Sequence, residues 1–343
     1  MNYPNKIHDM VMLDFDDVMI RPLPSKVNSR SLVSLEREFT FCSRTSKQGR
    51  RIYWKGIPII AANMDTTGTF EVYNVLSKYK MLTAMNKFYT VDDYIKNKEN
   101  LNTDYFMVST GITYEDYRNL VAILDKIECK WICIDIANGY IEKFIEFCIL
   151  VRETYPDKII VAGNVCTAET ANKIFQDADI DIVKIGIGPG SACLTRKKTG
   201  VGVPQLSSIL ECKTFGIVNN CIISDGGIKC PGDMAKAFGA GADFVMIGGE
   251  FAGHDENPGK IIEENSVKYK MFYGMSSKHA MEKHYGKMEK YRSSEGAVIK
   301  MKYKGALEDT VLDYLGGLRS ACTYVNADNL QSFAKNARFH RLK

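Results

Sequence analysis

The sequence predicts a (β/α)8 barrel, and three observations carry the prediction. Eight short apolar runs recur along the 343 residues. Stretches of helical period separate them, the alternation that builds a parallel sheet wrapped by helices. The residues just past the runs are Asn, Asp, Gly and, once, a cysteine, so polar chemistry collects at one end of the strands. In a barrel that end carries the active site. An open doubly wound sheet is the other reading of such an alternation; a count of eight favours the closed form.

In chain order the runs are Ile57–Asn63, Met81–Asn86, Tyr105–Ser109, Trp131–Ala137, Lys158–Asn164, the stretch from Ile182, Cys221–Gly227 and Phe244–Gly249. Their near-continuous apolarity is that of strands covered on both faces. Helices are expected over Phe70–Tyr79, Tyr114–Ile127, Ile141–Tyr155 and Thr167–Ala178, and over Pro231–Phe238, where proline suits the first turn. Leu13–Pro22 is expected to cap the bottom of the barrel or to form a short hairpin. About 250–305 reads as an elaborated polar loop after the eighth strand, followed by a last helix near Leu307–Leu318. No Pro/Gly/Ser linker or low-complexity stretch divides the chain, so 1–343 is expected to be a single barrel domain with no inserted regulatory domain.

Composition narrows the function. Hydrophobic residues are 45% and charged residues 25%, an ordinary soluble balance. A net charge of +4 is too small to argue for nucleic acid or a membrane surface. No apolar run reaches membrane-spanning length, and the first residues lack the apolar core of a secretion signal. The ten cysteines form no CxxC pair, so neither a zinc site nor a disulfide framework is signalled. Free thiols suit a reducing, cytoplasmic setting.

The chemistry centres on the sixth strand. It breaks into Gly188-Pro189-Gly190-Ser191-Ala192-Cys193, and glycines there leave backbone groups open to a ligand. A cysteine on such a loop is well placed as a nucleophile, because the thiolate is the reactive form and nearby N–H donors stabilise it. The other nine cysteines are read as inert packing residues. The glycines are not a dinucleotide fingerprint: Arg196-Lys197-Lys198 follows, read as a solvated basic run rather than a helix start. Gly226-Gly227 and Gly248-Gly249, past the seventh and eighth strands, stand where barrels build phosphate sites from backbone N–H groups. Asp225 either accepts ribose hydroxyls or starts an Asx turn. These residues suggest a mononucleotide beside a nucleophilic cysteine.

The run Gly186–Arg196 resembles the cysteine loop of the inosine-monophosphate dehydrogenase and GMP reductase family, and Lys197–Gln205 resembles its reductase branch. The likeness extends over Ala61–Thr66, Asp135–Tyr140, Ala162–Asn164, Ser224–Gly227, Gly239–Asp243, Tyr273–Ser277 and Ser294–Gly296, from about Asp14 to about Val325. It implies that Cys193 attacks C2 of the purine of GMP, that NADPH reduces the resulting thioimidate to IMP, and that Thr195 and Glu295 protonate the departing ammonia. It places Ser191, Gly226, Gly227, Gly248, Gly249, Tyr273 and Gly274 around the phosphate and Asp225 at the ribose. Met275, Ser276, Arg292, Ser293, Ser294 and Gly296 would lie along the base. It places the cofactor against Lys87, Asp135, Ile136, Ala137, Ile187, Gly188, Met275, Tyr291 and Arg292. At the cofactor's far end it puts Ser29, Arg30, Ser320, Ala321, Cys322 and Thr323, from the same chain or a neighbouring subunit. A potassium ion would sit on carbonyls of Gly188, Gly190 and Cys193 with Arg196 nearby. The resemblance also implies a homotetramer acting in purine salvage. The loop after Lys87 runs straight into the next helix and Lys278–Tyr291 is short, both on the side of the reductase. Without turnover the same site would make a nucleotide sensor. A flavin-dependent barrel oxidoreductase would share the Gly-Gly phosphate site but have no use for Cys193.

Overall fold

The computed structural model describes residues 10–42, 51–215, 220–288, 291 and 293–342. Among them eight parallel strands close into a barrel: Ile59–Ala61, Leu82–Ala84, Phe106–Thr110, Trp131–Asp135, Ile159–Val165, Ile182–Ile185, Cys221–Asp225 and Phe244–Ile247. The eighth pairs with the first, Val245 opposite Ile59, which closes the ring. The strands are buried on both faces; Ile159, Ile160, Val161, Ile182 and Val183 are fully enclosed. β-Branched side chains suit such a doubly covered sheet.

The helices start where side chains satisfy their free N–H groups. Thr69 caps Phe70–Leu76, and Thr90 and Thr113 form capping boxes with Asp93 and Asp116 for Val91–Asn97 and Tyr114–Leu124. Glu142–Thr154, Ala168–Ala178 and Pro231–Gly239 agree with expectation to within a residue or three. Leu307–Tyr324 runs six residues past the expected end. Among the described residues, no helix is long and apolar enough to cross a membrane.

Three expectations change. The bottom of the barrel is plugged not by Leu13–Pro22 but by an antiparallel pair, Arg37–Cys42 with Arg51–Gly56. Its aromatic residues enter the mouth: Phe39 stacks on Phe244 at 4.7 Å and Trp54 meets Trp131 edge-on at 5.6 Å, at the starts of the eighth and fourth strands. Leu13–Pro22 is no self-contained hairpin. Val18–Ile20 pairs with Phe339–Arg341 near the other end of the chain, while the Lys236 ammonium donates to the Phe15 carbonyl at 2.9 Å. Second, the polar stretch after the eighth strand is a three-stranded antiparallel sheet, Ile262–Glu264, Val267–Tyr273 and Val298–Lys302, with a helix at Lys278–Tyr285. Its middle strand buries alternate residues, Lys270 and Phe272, which is how so polar a sequence still forms a sheet. Third, Arg196-Lys197-Lys198 does lie in a helix, the single turn Thr195–Thr199, ended by Gly200 in the left-handed conformation at φ +72°.

Candidate active site

A cleft of about 270 Å³ opens at the C-terminal ends of the strands. Cys193, Thr195 and Glu295 line it together, although Glu295 is a hundred residues from Thr195 in sequence. The distance in sequence is bridged by backbone pairing: Cys193 lies opposite Gly296, with Leu194 N–H donating to Glu295 at 2.6 Å and Ala297 N–H to Ala192 at 2.8 Å. The added sheet therefore delivers Glu295 to the cysteine loop. The Cys193 thiol donates to Thr195 Oγ1 at 3.3 Å, and that hydroxyl donates to Glu295 Oε2 at 2.7 Å. One hydrogen-bond chain thus runs from sulfur to carboxylate.

The remaining thiols differ. Burial pushes Cys129 up to about 11 and Cys133, Cys212 and Cys322 up to about 12. Cys148, Cys166 and Cys221 are raised by burial too. These are protonated packing residues at neutral pH. Cys193 is partly exposed at the cleft, whereas Cys42 and Cys230 are exposed away from it.

One wall is a glycine cradle. Gly226, Gly227, Gly248 and Gly249 line it with Ser191. Gly226 has φ +87°, and a Cβ there would come within 3.1 Å of the Gly190 nitrogen; a Cβ on Gly249 would meet Ser191 Oγ at 2.6 Å. A side chain at either position would run into the cysteine loop, so glycine is what lets these backbones pack so closely at the cleft. Gly274, Met275, Ser276 and Gly296 form the opposite side, and Asp135, Ile136, Ala137, Ile187 and Gly188 extend the cleft past the cysteine.

Beneath lies a charge cluster that sequence reasoning missed. Lys184, on the sixth strand and 0% exposed, pairs with Asp135 and, at 3.2 Å, with Asp225. Asn164 Nδ2 donates to the same Asp225 oxygen at 2.8 Å. Burial alone would depress the Lys184 ammonium, but the two carboxylates outweigh it and raise its pKa. The signal was present: one lysine inside Ile182-Val183-Lys184-Ile185, a fully buried strand.

Other expected residues fall elsewhere. Tyr273 does not line the cleft. Its hydroxyl donates to Asp65 at 2.9 Å, and its strand neighbour Phe272 faces the cleft instead, because adjacent residues on a strand face opposite ways. Ser293, Ser294 and Tyr291 are not among the lining residues, and Arg292 lies outside the described residues. Lys87 is not among the residues lining the cleft and pairs with Asp116 at 3.4 Å; burial opposes its charge, but Asp116 and Tyr285 more than compensate, so its pKa is raised. Arg196 buttresses the loop, its guanidinium bonding Asp14 at 2.9 Å and the Val203 carbonyl at 2.5 Å. Ser29 and Arg30 sit in a turn packed on helix Leu307–Tyr324, which carries Ser320–Thr323. Neither group lines this chain's own cleft.

Of the strand-end residues, Asn63, Asp135 and Asn164 line the cleft, while Asp65 and Asn86 line a separate cavity with Lys283 and His284.

Two properties bear on a cation at the cysteine loop. Its donor set is uncharged backbone carbonyl, suited to an alkali ion rather than a transition metal. Among the described residues the Gly188 and Cys193 carbonyls accept no hydrogen bond, and Gly190 accepts one, from Cys193 N–H at 3.0 Å. The loop therefore fits such an ion.

Comparison with known proteins agrees with this geometry. The family described as IMP dehydrogenase / GMP reductase domain matches residues 12–343. The chain is 50% identical over 335 residues to GMP reductase 1 of Rattus norvegicus, covering 96% of this chain and 95% of that protein. It is 48% identical to GMP reductase of Caenorhabditis elegans over 342 residues, 98% of this chain and 94% of the relative. Against GMP reductase of Klebsiella pneumoniae it is 48% identical over 343 residues, 98% and 97% of the two chains. The chain belongs to the IMP dehydrogenase / GMP reductase family.

Proposed function

We propose that the protein is a GMP reductase, converting GMP to IMP and ammonia with NADPH in purine salvage. The observation that carries this reading is the Cys193–Thr195–Glu295 chain, at 3.3 and 2.7 Å, in one cleft with the glycine cradle. Its relatives' names point the same way.

The direction of the chain suggests how one relay serves two needs. Each group donates to the next, from sulfur to Glu295. Moving one proton along each bond leaves a thiolate on Cys193 and a protonated Glu295. The thiolate adds to C2 of GMP. Glu295, through Thr195, then protonates the 2-amino group, which leaves as ammonia, and C2 stays bonded to sulfur as a thioimidate. A general acid is required because an amide anion is too poor a leaving group. Asp135, Ile136, Ala137, Ile187 and Gly188 would hold a reduced nicotinamide, which would supply the hydride that C2 needs. Loss of the Cys193 thiolate releases IMP.

The phosphate sits on Ser191 and the Gly226-Gly227 and Gly248-Gly249 backbone, and Asp225 takes the ribose hydroxyls. Lys184 and Asn164 hold that carboxylate in place. Potassium would rest on the Gly188, Gly190 and Cys193 carbonyls and hold the loop's shape. Ser29, Arg30 and Ser320–Thr323 reach the cofactor's adenosine end from a neighbouring copy, which accords with a homotetramer; a cytoplasmic setting suits the free thiols. The second strand leads directly into Val91–Asn97, with no inserted domain, and this favours the reductase over the dehydrogenase.

The test is a paired assay with potassium present: GMP with NADPH, and IMP with NAD+. Loss of NADPH with ammonia release in the first alone is expected. NADH formation in the second would make the protein a dehydrogenase. Cys193→Ala is expected to abolish turnover while GMP still binds, and retained turnover would remove the covalent scheme. Glu295→Gln is expected to slow ammonia release about 100-fold or more and hydride transfer far less. Equal losses in both steps would take away its role as acid.

A further inference from the structure

We propose that Asp65 is a positioning residue for the substrate loop Gly274–Ser276, clamping the chain on both sides of it. The inference deepens the reductase reading and rests on it for the identity of the ligand. Asp65 follows the first strand but does not reach the cleft; it is 6% exposed and faces the three-stranded sheet and its helix. Its Oδ2 accepts three hydrogen bonds: from the Tyr273 hydroxyl at 2.9 Å, from the Lys283 ammonium at 2.8 Å and from His284 Nε2 at 2.6 Å. Tyr273 is the residue immediately before Gly274. Lys283 and His284 are on the helix Lys278–Tyr285 that begins directly after the loop.

Both shoulders of the loop therefore end on one oxygen. Gly274, Met275 and Ser276 line the cleft between those shoulders. They gain little anchoring of their own. Gly274 N–H donates to Ala297 at 3.0 Å, and Ser277 N–H folds back onto Gly274 at 2.9 Å. The clamp also extends to the cofactor side. The His284 ring stacks flat on Phe88, 3.6 Å between centroids, next to Lys87. A buried carboxylate adds little net stability when paired. The other oxygen of Asp65 has no hydrogen-bond partner among the described residues. Geometry, not stability, is what this arrangement supplies: one carboxylate sets where the loop between those two shoulders lies.

Asp65→Asn keeps the shape and removes the charge that gathers Lys283 and His284. It is expected to raise KM for GMP about tenfold while kcat falls less than threefold. Backbone amide exchange over 274–285 is expected to accelerate with the barrel strands unchanged. Lys278→Ala, on the same helix and with an exposed side chain 3.6 Å from Glu282, is expected to match wild type in both readouts. An Asp65→Asn protein that folds and shows wild-type KM and exchange would overturn the proposal, whatever its melting temperature. Should that variant not fold, Tyr273→Phe and Lys283→Met each remove one donor without burying a new polar group. Each is expected to raise KM for GMP severalfold and to speed exchange over 274–285; wild-type values in both would overturn the proposal. The exchange readout needs no turnover. If the wild-type protein does not consume GMP, the reductase reading fails while the clamp is still tested.

Discussion

Lys184 makes the case at the scale of a single residue. An ammonium with no exposure, inside a strand of isoleucine and valine, stays charged only because Asp135 and Asp225 face it. Those two carboxylates are assigned to opposite ends of the chemistry, cofactor and ribose, so one buried cation sets their separation. Lys184→Met keeps the length and removes the charge. It leaves two like charges at the cleft floor, 31% and 18% exposed, and while losing one partner of a fully buried pair costs about 3–5 kcal/mol, water at the cleft reduces that to about 1–3 kcal/mol here. Urea unfolding at pH 7 is expected to show a loss of that order. A variant as stable as wild type would mean that the carboxylates are solvated without the lysine. Cys193, by contrast, was legible from its loop alone, because a glycine-rich break beside a cysteine has few structural uses. Lys184 carries its meaning only once its neighbours across the barrel are known.

Among the elements, the sequence reading missed chiefly the strands outside the βα alternation, and also the helix Gln205–Phe215 within it. The eight strands were legible because each is an apolar run between turn residues. The plug at Arg37–Cys42 and Arg51–Gly56 alternates instead: Phe39 and Phe41 are buried on one strand and Trp54 on the other, with Glu38, Thr40, Tyr53 and Lys55 exposed between and beside them. That period of two was available but unpartnered, and nothing local says that it closes a barrel mouth. The same holds for Val267–Tyr273, whose lysines hide a half-buried strand; Phe272 lines the cleft, whereas Tyr273, placed at the phosphate by resemblance, turns its hydroxyl to Asp65. Position predicts consequence here. Trp54 is 1% exposed and packs on Trp131 and Phe244 at the end of the barrel remote from Cys193. Trp54→Ala is expected to cost about 3–5 kcal/mol in urea unfolding, with KM for GMP unchanged in the folded protein. A raised KM would show that the plug and the cleft are coupled through the strands.

At the scale of the whole molecule, the join between the barrel and helix Leu307–Tyr324, which Leu330–Asn336 follows, makes folding sensitive to acid. His254 lies in the turn after the eighth strand, with no exposure. Its backbone N–H donates to Asn257 at 2.7 Å, and its Nε2 pairs with Thr310 on helix Leu307–Tyr324 at 2.7 Å. Burial first, and the Lys304 charge second, push it down to about 4. The unfolded chain takes up that proton near pH 6.5. The sign follows: between about 6.5 and 4 the unfolded state binds more protons than the folded one, so stability falls as pH falls, and it is fully present above that window. A group shifted from about 6.5 to about 4 contributes about 1.4 kcal/mol of this loss by pH 5.5 and roughly 3 kcal/mol in all. His254→Gln keeps a donor for Thr310 and does not titrate. Urea unfolding at pH 7.5 and 5.5 is expected to show wild type losing about 1.4 kcal/mol more than His254→Gln between the two values. Equal losses would mean that His254 takes a proton in the folded protein, and the turn would then have to open toward water at a pH where the barrel itself stays closed.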